Sequence, residues 1–508
     1  MAQISVNNLT FAYEGSFDTV FENVSFSVDT NWKLGFIGRN GKGKTTFLHL
    51  LLGKYRYEGS ISGAAKFDYF PYGISEIQKQ MPVAEFMEEI KPGCELWRVV
   101  CELEELSESA EILYRPYEML SPGERTKALL AILFSQENEF LLIDEPTNHL
   151  DKAARECVKN YLRSKKGFIL VSHDRELLDA CTDHCLVLNR CSIEVQNGNF
   201  STWWENKQRK DKFAMAENEK HRKEIQKLHH AAERVSKWAD KNEHTKIGFD
   251  PIKEHDRCLS TRSYIGAKTK KMQSRVKQME KRLEREIEEK EGLLQDIEET
   301  IDLKLVGLDH HKKVLIYARD YSLQYEGADK PLFEGVSFEI KAGDRVVLSG
   351  KNGCGKTTLI KKLLHKCNAD VPAAAISEKG TCEAASGLLV SYAGQETTGL
   401  NGSIENYCKK HGLDKSLFCT ILRQLDFERD QFLKNIENYS EGQKKKVLLA
   451  TSLLTPAHLY IWDEPLNYID VFSRLQLEKL ILQYQPTMLL VEHDGVFCEK
   501  VATVTIQL

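Results

Sequence analysis

The sequence predicts an α/β protein: two copies of one domain in tandem, joined by a long α-helical hairpin. Three observations carry that expectation. Four short motifs recur in one order at nearly one offset, apolar runs ending in turn signals surround each motif set, and a glycine-poor, charge-rich stretch separates the two sets. GRNGKGKT begins at Gly38 and GKNGCGKT at Gly350, 312 residues on; LSPGE and YSEGQ place Ser121 and Ser440 319 apart; LLIDE and YIWDE place Asp144 and Asp463 319 apart; VSHD and VEHD place His173 and His493 320 apart. An ordered repeat at so constant an offset marks a duplicated domain, expected over 1–202 and 306–508 with the hairpin over 203–305.

Within each copy, apolar runs read as buried parallel strands: Lys33 to Ile37, Phe140 to Ile143 and Phe168 to Val171, then Arg345 to Leu348, Leu459 to Trp462 and Thr487 to Val491. The helical stretches between them supply the crossovers a parallel sheet needs. In the linker, Met272, Val276, Met279, Leu283, Ile287, Leu294, Ile297 and Ile301 nearly follow a heptad, and Ile225, Leu228, Val235 and Trp238 offer a facing stripe. Gly248 and Pro251 break the pattern, so the hairpin tip is expected at about 241–262. A first arm of roughly 40 residues would reach about 55 Å.

Composition narrows the class. The chain has 508 residues, 42% hydrophobic and 29% charged, with net charge -5, which is ordinary globular composition. The longest apolar run found, Ala128 to Phe134, is far shorter than the ~20 residues of a membrane helix. The opening MAQISVNNLTFAY has neither a basic nor an apolar leader region, so no secretory signal is expected. Thirteen scattered Cys without CxxC or zinc-finger spacing read as core thiols of a reducing compartment. Membrane-spanning, secreted, disulfide-stapled and disordered classes are excluded on these grounds.

The motifs carry phosphate chemistry. In GxxxxGK[ST], Gly38, Gly41 and Gly43, like Gly350, Gly353 and Gly355, let backbone N–H groups approach phosphate oxygens at a helix N-terminus. Asn40 and Asn352 lie within these loops. Lys44 and Lys356 would neutralise the β- and γ-phosphates, Thr45 and Thr357 would hold Mg²⁺, and Thr46 and Thr358 follow them. Asp144 and Asp463, at the ends of strands, would bind the metal or its waters; Glu145 and Glu464 stand next, where a water could attack in line. His173 and His493 close the following strand in both copies. Ser121 with Glu124 and Ser440 with Gln443 fit the capping box, with Pro122 at the first helical position. The same helix starts, opened by Gly123 and Gly442, suit a γ-phosphate.

With these residues in place, the chain resembles the ATP-binding-cassette superfamily, whose cassettes are P-loop NTPase domains. The motifs correspond to its Walker A, signature, Walker B and H-loop elements. The resemblance implies ATP and Mg²⁺, and a head-to-tail intramolecular pair acting as a monomer. One site would use Lys44, Thr45, Asp144, Glu145 and His173 with Ser440 and Gly442; the other Lys356, Thr357, Asp463, Glu464 and His493 with Ser121 and Gly123. Tyr13 and Tyr325 match the aromatic that stacks on adenine, and Gln395 the metal-side glutamine. Tyr72 stands opposite Gln395 in the first copy, where a phenol cannot offer an amide carbonyl to Mg²⁺. Glu441 and Pro122 also depart from the usual signature glycine.

EPTNHLD, EPLNYIDVF and the charged linker resemble the ABC-F family over essentially the whole chain, most of all its Lsa/Vga-type antibiotic-resistance branch. That likeness implies a cytoplasmic factor on the ribosome that touches rRNA through the vacant E site, with P-site tRNA a further candidate. It would dislodge drugs of the lincosamide, pleuromutilin or streptogramin A type, with no membrane partner. Charge supports RNA independently: residues 257–285 hold ten Lys/Arg, Arg257, Arg262, Lys268, Lys270, Lys271 and Arg275 among them, against two Glu, and 286–299 hold seven acids against Lys290. A one-signed segment suits phosphates, and Trp238, Ile247, Phe249, Ile252 and Tyr264 at the tip suit unpaired bases or an RNA cavity. Two other readings stay open: a housekeeping ABC-F translation factor on stalled ribosomes, and the ATPase subunit of a drug exporter.

Overall fold

The computed structural model describes residues 3–14, 19–63, 65–136, 139–148, 150–189, 191–244, 274, 277–279, 281, 282, 285, 305, 307–327, 330–367, 376–397, 399–425, 427 and 429–508, without the side chains of 232, 235, 236, 238–244, 429 and 430. Met1–Trp203 and Ile301–Leu508 together form one compact unit, and Trp204–Thr300 a second.

Each copy opens with an antiparallel three-stranded sheet: β1 (Gln3–Ala12), β2 (Thr19–Asp29) and β4 (Glu58–Ser62) in the order β2-β1-β4. β3 (Lys33–Ile37) instead enters the main sheet, with β5 (Lys66–Phe70), β6 (Glu139–Asp144), β7 (Phe168–Val171), β8 (His184–Leu188) and β9 (Ile193–Asn197), ordered β5-β6-β7-β3-β8-β9. All pairs but β8–β9 are parallel. In the second copy β10 (Val314–Tyr325), β11 (Phe333–Lys341) and β13 (Ile376–Ala384) form the antiparallel sheet. There β12 (Arg345–Ser349), β14 (Val390–Ala393), β15 (Leu459–Asp463), β16 (Met488–Val491) and β17 (Val504–Gln507) form a parallel sheet ordered β14-β15-β16-β12-β17. The six expected strands are all present, shifted at their ends by one residue at most. β6 and β15 are apolar on both faces because helices cover both sides of a parallel sheet. Phe36, Phe47, Phe140 and Leu142 are buried in the first copy, and Trp462, Leu477 and Leu490 in the second. This order puts the ends of β3, β6 and β7, and of β12, β15 and β16, side by side, so the phosphate-loop, acid and histidine motifs gather at one sheet edge per copy.

Both capping boxes form. Ser121 Oγ accepts from Glu124 N at 3.2 Å and Glu124 Oε2 from Ser121 N at 2.7 Å; Ser440 Oγ accepts from Gln443 N at 3.3 Å and Gln443 Oε1 from Ser440 N at 3.0 Å. The twelve described cysteines are free.

The first hairpin arm is the helix Phe200–His244, 45 residues long, which at 1.5 Å per residue spans about 67 Å. Within it Ala214, Asn218 and Ile225 are buried, and Lys207, Asp211, His221 and Leu228 half-buried, so a seam recurs at three-to-four spacing. Lys277, Met279, Lys281 and Arg285 are helical and exposed. Met279, read from sequence as part of the apolar stripe, is 54% exposed. Of the expected tip loop, 241–244 belong to the helix Phe200–His244; the rest of the loop and Ile247, Phe249, Ile252, Arg257, Arg262, Tyr264, Lys268, Lys270, Lys271 and Arg275 lie outside the described residues, as does the side chain of Trp238. Among the described residues no helix is long and apolar enough to cross a membrane.

Candidate functional site

The phosphate loops run from β3 and β12 into the helices Lys44–Leu51 and Lys356–Lys366. Gly43 and Gly355 sit at φ 106° and 97°, a region closed to most side chains. A Cβ on Gly43 would also meet Val20 Cγ1 at 2.6 Å. Lys44 Nζ is buried and donates to Gly38 O at 2.6 Å, Arg39 O at 3.2 Å and Asn40 Oδ1 at 3.2 Å. Lys356 Nζ repeats this with Gly350 O at 2.8 Å and Lys351 O at 2.9 Å. Tyr13 OH lies 2.6 Å from Thr46 Oγ1, and Tyr325 OH 3.0 Å from Thr358 Oγ1, so each aromatic is tied by its hydroxyl beside the loop.

The acids stand opposite. Thr45 Oγ1 donates to Asp144 Oδ2 at 2.8 Å, and the Thr357 hydroxyl bonds Asp463. Glu145 and Glu464 both adopt φ 51°, a left-handed conformation that costs a non-glycine residue about 1–2 kcal/mol. Their amides donate to Val171 O and Val491 O, each at 2.9 Å. That bend aims the carboxylates at the histidines: His173 Nε2 lies 3.3 Å from Glu145 Oε1, and His493 Nε2 3.8 Å from Glu464 Oε1. Burial raises the carboxyls of Asp144, Asp463, Glu145 and Glu464, the last two also under the charge of the neighbouring aspartate. Burial, then Lys44, holds His173 well below its ordinary value; burial, then Lys356 and Arg155, brings His493 down to about 4. Both imidazoles are thus neutral at pH 7. Glu145 Oε1, Asp463 Oδ2 and His493 Nε2 are buried without a hydrogen-bond partner, as expected of groups shaped to meet a ligand.

Both copies contribute at each site. A cavity of about 540 Å³ is lined by Tyr325, Asn352, Gly353, Gly355, Lys356, Thr357, Thr358, Gln395, Glu464 and His493, together with Pro122 and Arg155 of the first copy. Pro122 lies between Ser121 and Gly123. In the first copy a cavity of about 490 Å³ is lined by Thr45, Tyr69, Asp144 and Glu145 with Tyr117, Arg125 and Thr126 of the same copy. There the opposite copy arrives through Tyr468: its carbonyl accepts Asn40 Nδ2 at 2.9 Å and faces Gly442, whose Cβ position would lie 3.1 Å from that oxygen. A buried pair, Arg175 Nη2 with Glu478 Oε2 at 2.8 Å, also joins the copies.

The metal-side position differs between the copies, as the departure at Tyr72 indicates. Gln395 Nε2 donates to Asp463 Oδ1 at 3.2 Å, but Tyr72 turns its hydroxyl back onto Asp68. Tyr69, three residues earlier, donates to Asp144 Oδ2 at 3.2 Å instead. Missed from sequence were Lys445, Glu492 and the pair Arg155 and Arg474. The arginines recur at the same 319-residue offset as the acids, which was the available signal.

The family model described as ABC transporter matches residues 21–148 and 333–467. The chain belongs to the ABC transporter family. It is an ATPase, of the ABC-F type. It is 28% identical over 496 residues to the ribosome protection protein VmlR of Bacillus subtilis, covering 96% of this chain and 84% of that one. It is 26% identical over 485 residues to the erythromycin resistance ATP-binding protein MsrA of Staphylococcus epidermidis, covering 92% and 90%. Its fold is similar to that of the archaeal ribosome recycling factor aABCE1, solved with the ribosomal stalk protein aP1, with TM-score 0.59 at 18% identity over 98% of this chain and 89% of that one. This ABC-F ATPase therefore has two tandem cassettes, as the repeat predicted.

Proposed function

We propose that this ATPase is a cytoplasmic, monomeric ribosome-protection factor that uses ATP to dislodge antibiotics bound near the peptidyl-transferase centre, those of lincosamide, pleuromutilin and streptogramin A type. The observation that carries the reading is that residues of both copies border each nucleotide place: Pro122 and Arg155 in the second cavity, and Tyr468 on Asn40 at the first phosphate loop. The names of VmlR and MsrA point the same way.

Each ATP would lie between one phosphate loop and the opposite helix start, Lys44 with Ser440 and Gly442, Lys356 with Ser121 and Gly123. The lysine donors now held by loop carbonyls would pass to the β- and γ-phosphates, with Tyr13 and Tyr325 against the adenines. The buried carboxylate and hydroxyl oxygens of Asp144 with Thr45, and of Asp463 with Thr357, fit a hard divalent cation, and the unpartnered Asp463 Oδ2 is placed to meet one. Those residues would hold Mg²⁺ with the Gln395 amide beside it; bound there, it draws off charge from the phosphates. Glu145 and Glu464 would orient the attacking water, and neutral His173 and His493 would contact the γ-phosphate. Cassette closure would set the hairpin so that its tip enters the vacant E side of the ribosome, beside rRNA and P-site tRNA; hydrolysis would reopen the pair.

Changing both Glu145 and Glu464 to Gln should preserve ATP binding and trap the protein on ribosomes. Co-sedimentation no better than that of the unaltered protein in ATP would refute the reading. Expression in a susceptible host should raise inhibitory concentrations for the three drug classes. No change in any class would leave a ribosome factor without drug action.

A further inference from the structure

Arg474 lies four residues after Asp470, at the head of the helix Val471–Tyr484. Its Nε donates to Ile469 O at 2.9 Å, its Nη2 to Leu466 O at 3.0 Å, and its Nη1 to Asp494 Oδ2 at 3.2 Å. Leu466 and Ile469 flank Tyr468, whose carbonyl receives Asn40 of the first phosphate loop. The same loop is pinned from its other side: Leu466 N donates to Glu492 Oε1 at 2.8 Å, and Asn467 Nδ2 to Glu464 Oε2 at 2.7 Å. Arg474 is 6% exposed, and its charge helps hold His173 of the opposite copy below its ordinary value.

Arg155 repeats this arrangement four residues after Asp151. Its Nε donates to Leu150 O at 3.0 Å, its Nη1 lies 3.6 Å from Asp174 Oδ2, and it lines the second cavity beside Lys356, Glu464 and His493. An ordinary structural arginine would need only its own copy's carbonyls. These two place fixed charge toward the other copy's reacting groups, where charge held in advance is most effective.

We infer that Arg155 and Arg474 are positioning residues for ATP hydrolysis in trans, each shaping the loop after its own acidic strand and holding it against the opposite site. The inference rests on the reading of Glu145 and Glu464 given above. Arg474 serves the site of Glu145, and Arg155 that of Glu464. A rigid, planar donor fork is what two carbonyls and a carboxylate require, so lysine should substitute only in part.

The test is steady-state ATP hydrolysis by the full chain. Arg474→Gln and Arg155→Gln should each lower kcat by about five-fold or more while KM for ATP stays within about two-fold, and Arg474→Lys should recover part of the loss. In an E464Q chain, which turns over at Glu145, R474Q should cost at least about three-fold more than R155Q; in an E145Q chain the order should reverse. Equal losses from both arginines in both backgrounds, or losses borne by KM, would overturn the inference, because a merely structural loop brace has no preferred site. E145Q and E464Q chains that hydrolyse ATP as the unaltered protein does would instead overturn the assignment of the glutamates, while the arginines are still read from the single variants.

Discussion

The two phosphate loops are built nearly alike, but the loops that follow β5 and β14 are not. In the second copy Gln395 reaches Asp463, Lys445 Nζ donates to Gly394 O at 2.9 Å, and the Thr397 hydroxyl donates to Glu441 Oε2. That loop therefore links the metal-side carboxylate to the helix Glu441–Leu454, whose Gly442 lies beside the Tyr468 carbonyl that Asn40 meets. The departure at Glu441 finds its reason there, since it takes the Thr397 bond, while Lys445 fills the space under the loop. In the first copy Tyr72 bonds Asp68, which Lys91 holds at 3.0 Å, and Thr126, the counterpart of Lys445, bonds Pro122 O at 3.0 Å. The Arg125 guanidinium is spent on Tyr117 O and Glu118 O. The first loop is thus tied to its own sheet edge and the second to a signature helix. The difference teaches that a hydrogen-bonded link from the metal-side carboxylate to a signature helix is built in the second copy, while the matching side chains of the first copy bond elsewhere.

The strongest way to break that comparison is to remove the acids one at a time. The charge of Lys445 opposes the upward push that burial and Asp463 exert on Glu464, whereas Glu145 lacks a lysine at the matching position, where Thr126 stands. Glu464→Gln should therefore cost about ten-fold or more in phosphate release, less than the roughly hundred-fold or more of a lost general base because the other site still turns over, and Glu145→Gln about two- to three-fold. Equal losses would show that the sites work alike despite their loops.

Lys445→Thr, which copies the first cassette, tests the link itself. It leaves Gly394 O without its buried donor, a loss of about 1–3 kcal/mol in urea unfolding. It should also lower hydrolysis in an E464Q chain about three-fold, through the loosened helix start. Lost stability with first-site turnover intact would reduce Lys445 to packing.

How much of this was legible follows from the range of each interaction. Capping boxes, phosphate loops and strand ends could be read because their physics is settled within five or six consecutive residues, as Ser121 with Glu124 shows. The bend at Glu145 and Glu464 was hidden, because it depends on Val171 O and Val491 O from another strand. Arg155 and Arg474 share an offset that sequence displays, but their direction across the pair depends on Tyr468 and Asn40, 428 residues apart. The hairpin's first arm was read from period alone and began a few residues early, since Phe200 and Trp203 pack into the cassette side before the charged stretch begins.

Tyr69 and Tyr72 sharpen the comparison at its finest point. Backbone register makes Tyr72 the true counterpart of Gln395: Phe70 pairs with Ile143 as Ala393 pairs with Trp462. The side chain nevertheless leaves the site, because Asp68, Lys91 and Glu139 form a buried charge cluster that a phenol can join and an amide would fill less well. Tyr69 occupies the free approach to Asp144 in its place. Tyr69→Phe should then raise the Mg²⁺ concentration needed for half-maximal hydrolysis about two-fold, measured in an E464Q chain. Tyr72→Phe should cost about 1 kcal/mol of stability and leave the Mg²⁺ requirement unchanged. If instead Tyr72→Phe moves that requirement and Tyr69→Phe does not, register decides function at this position, and the two loops are closer in kind than their hydrogen bonds indicate.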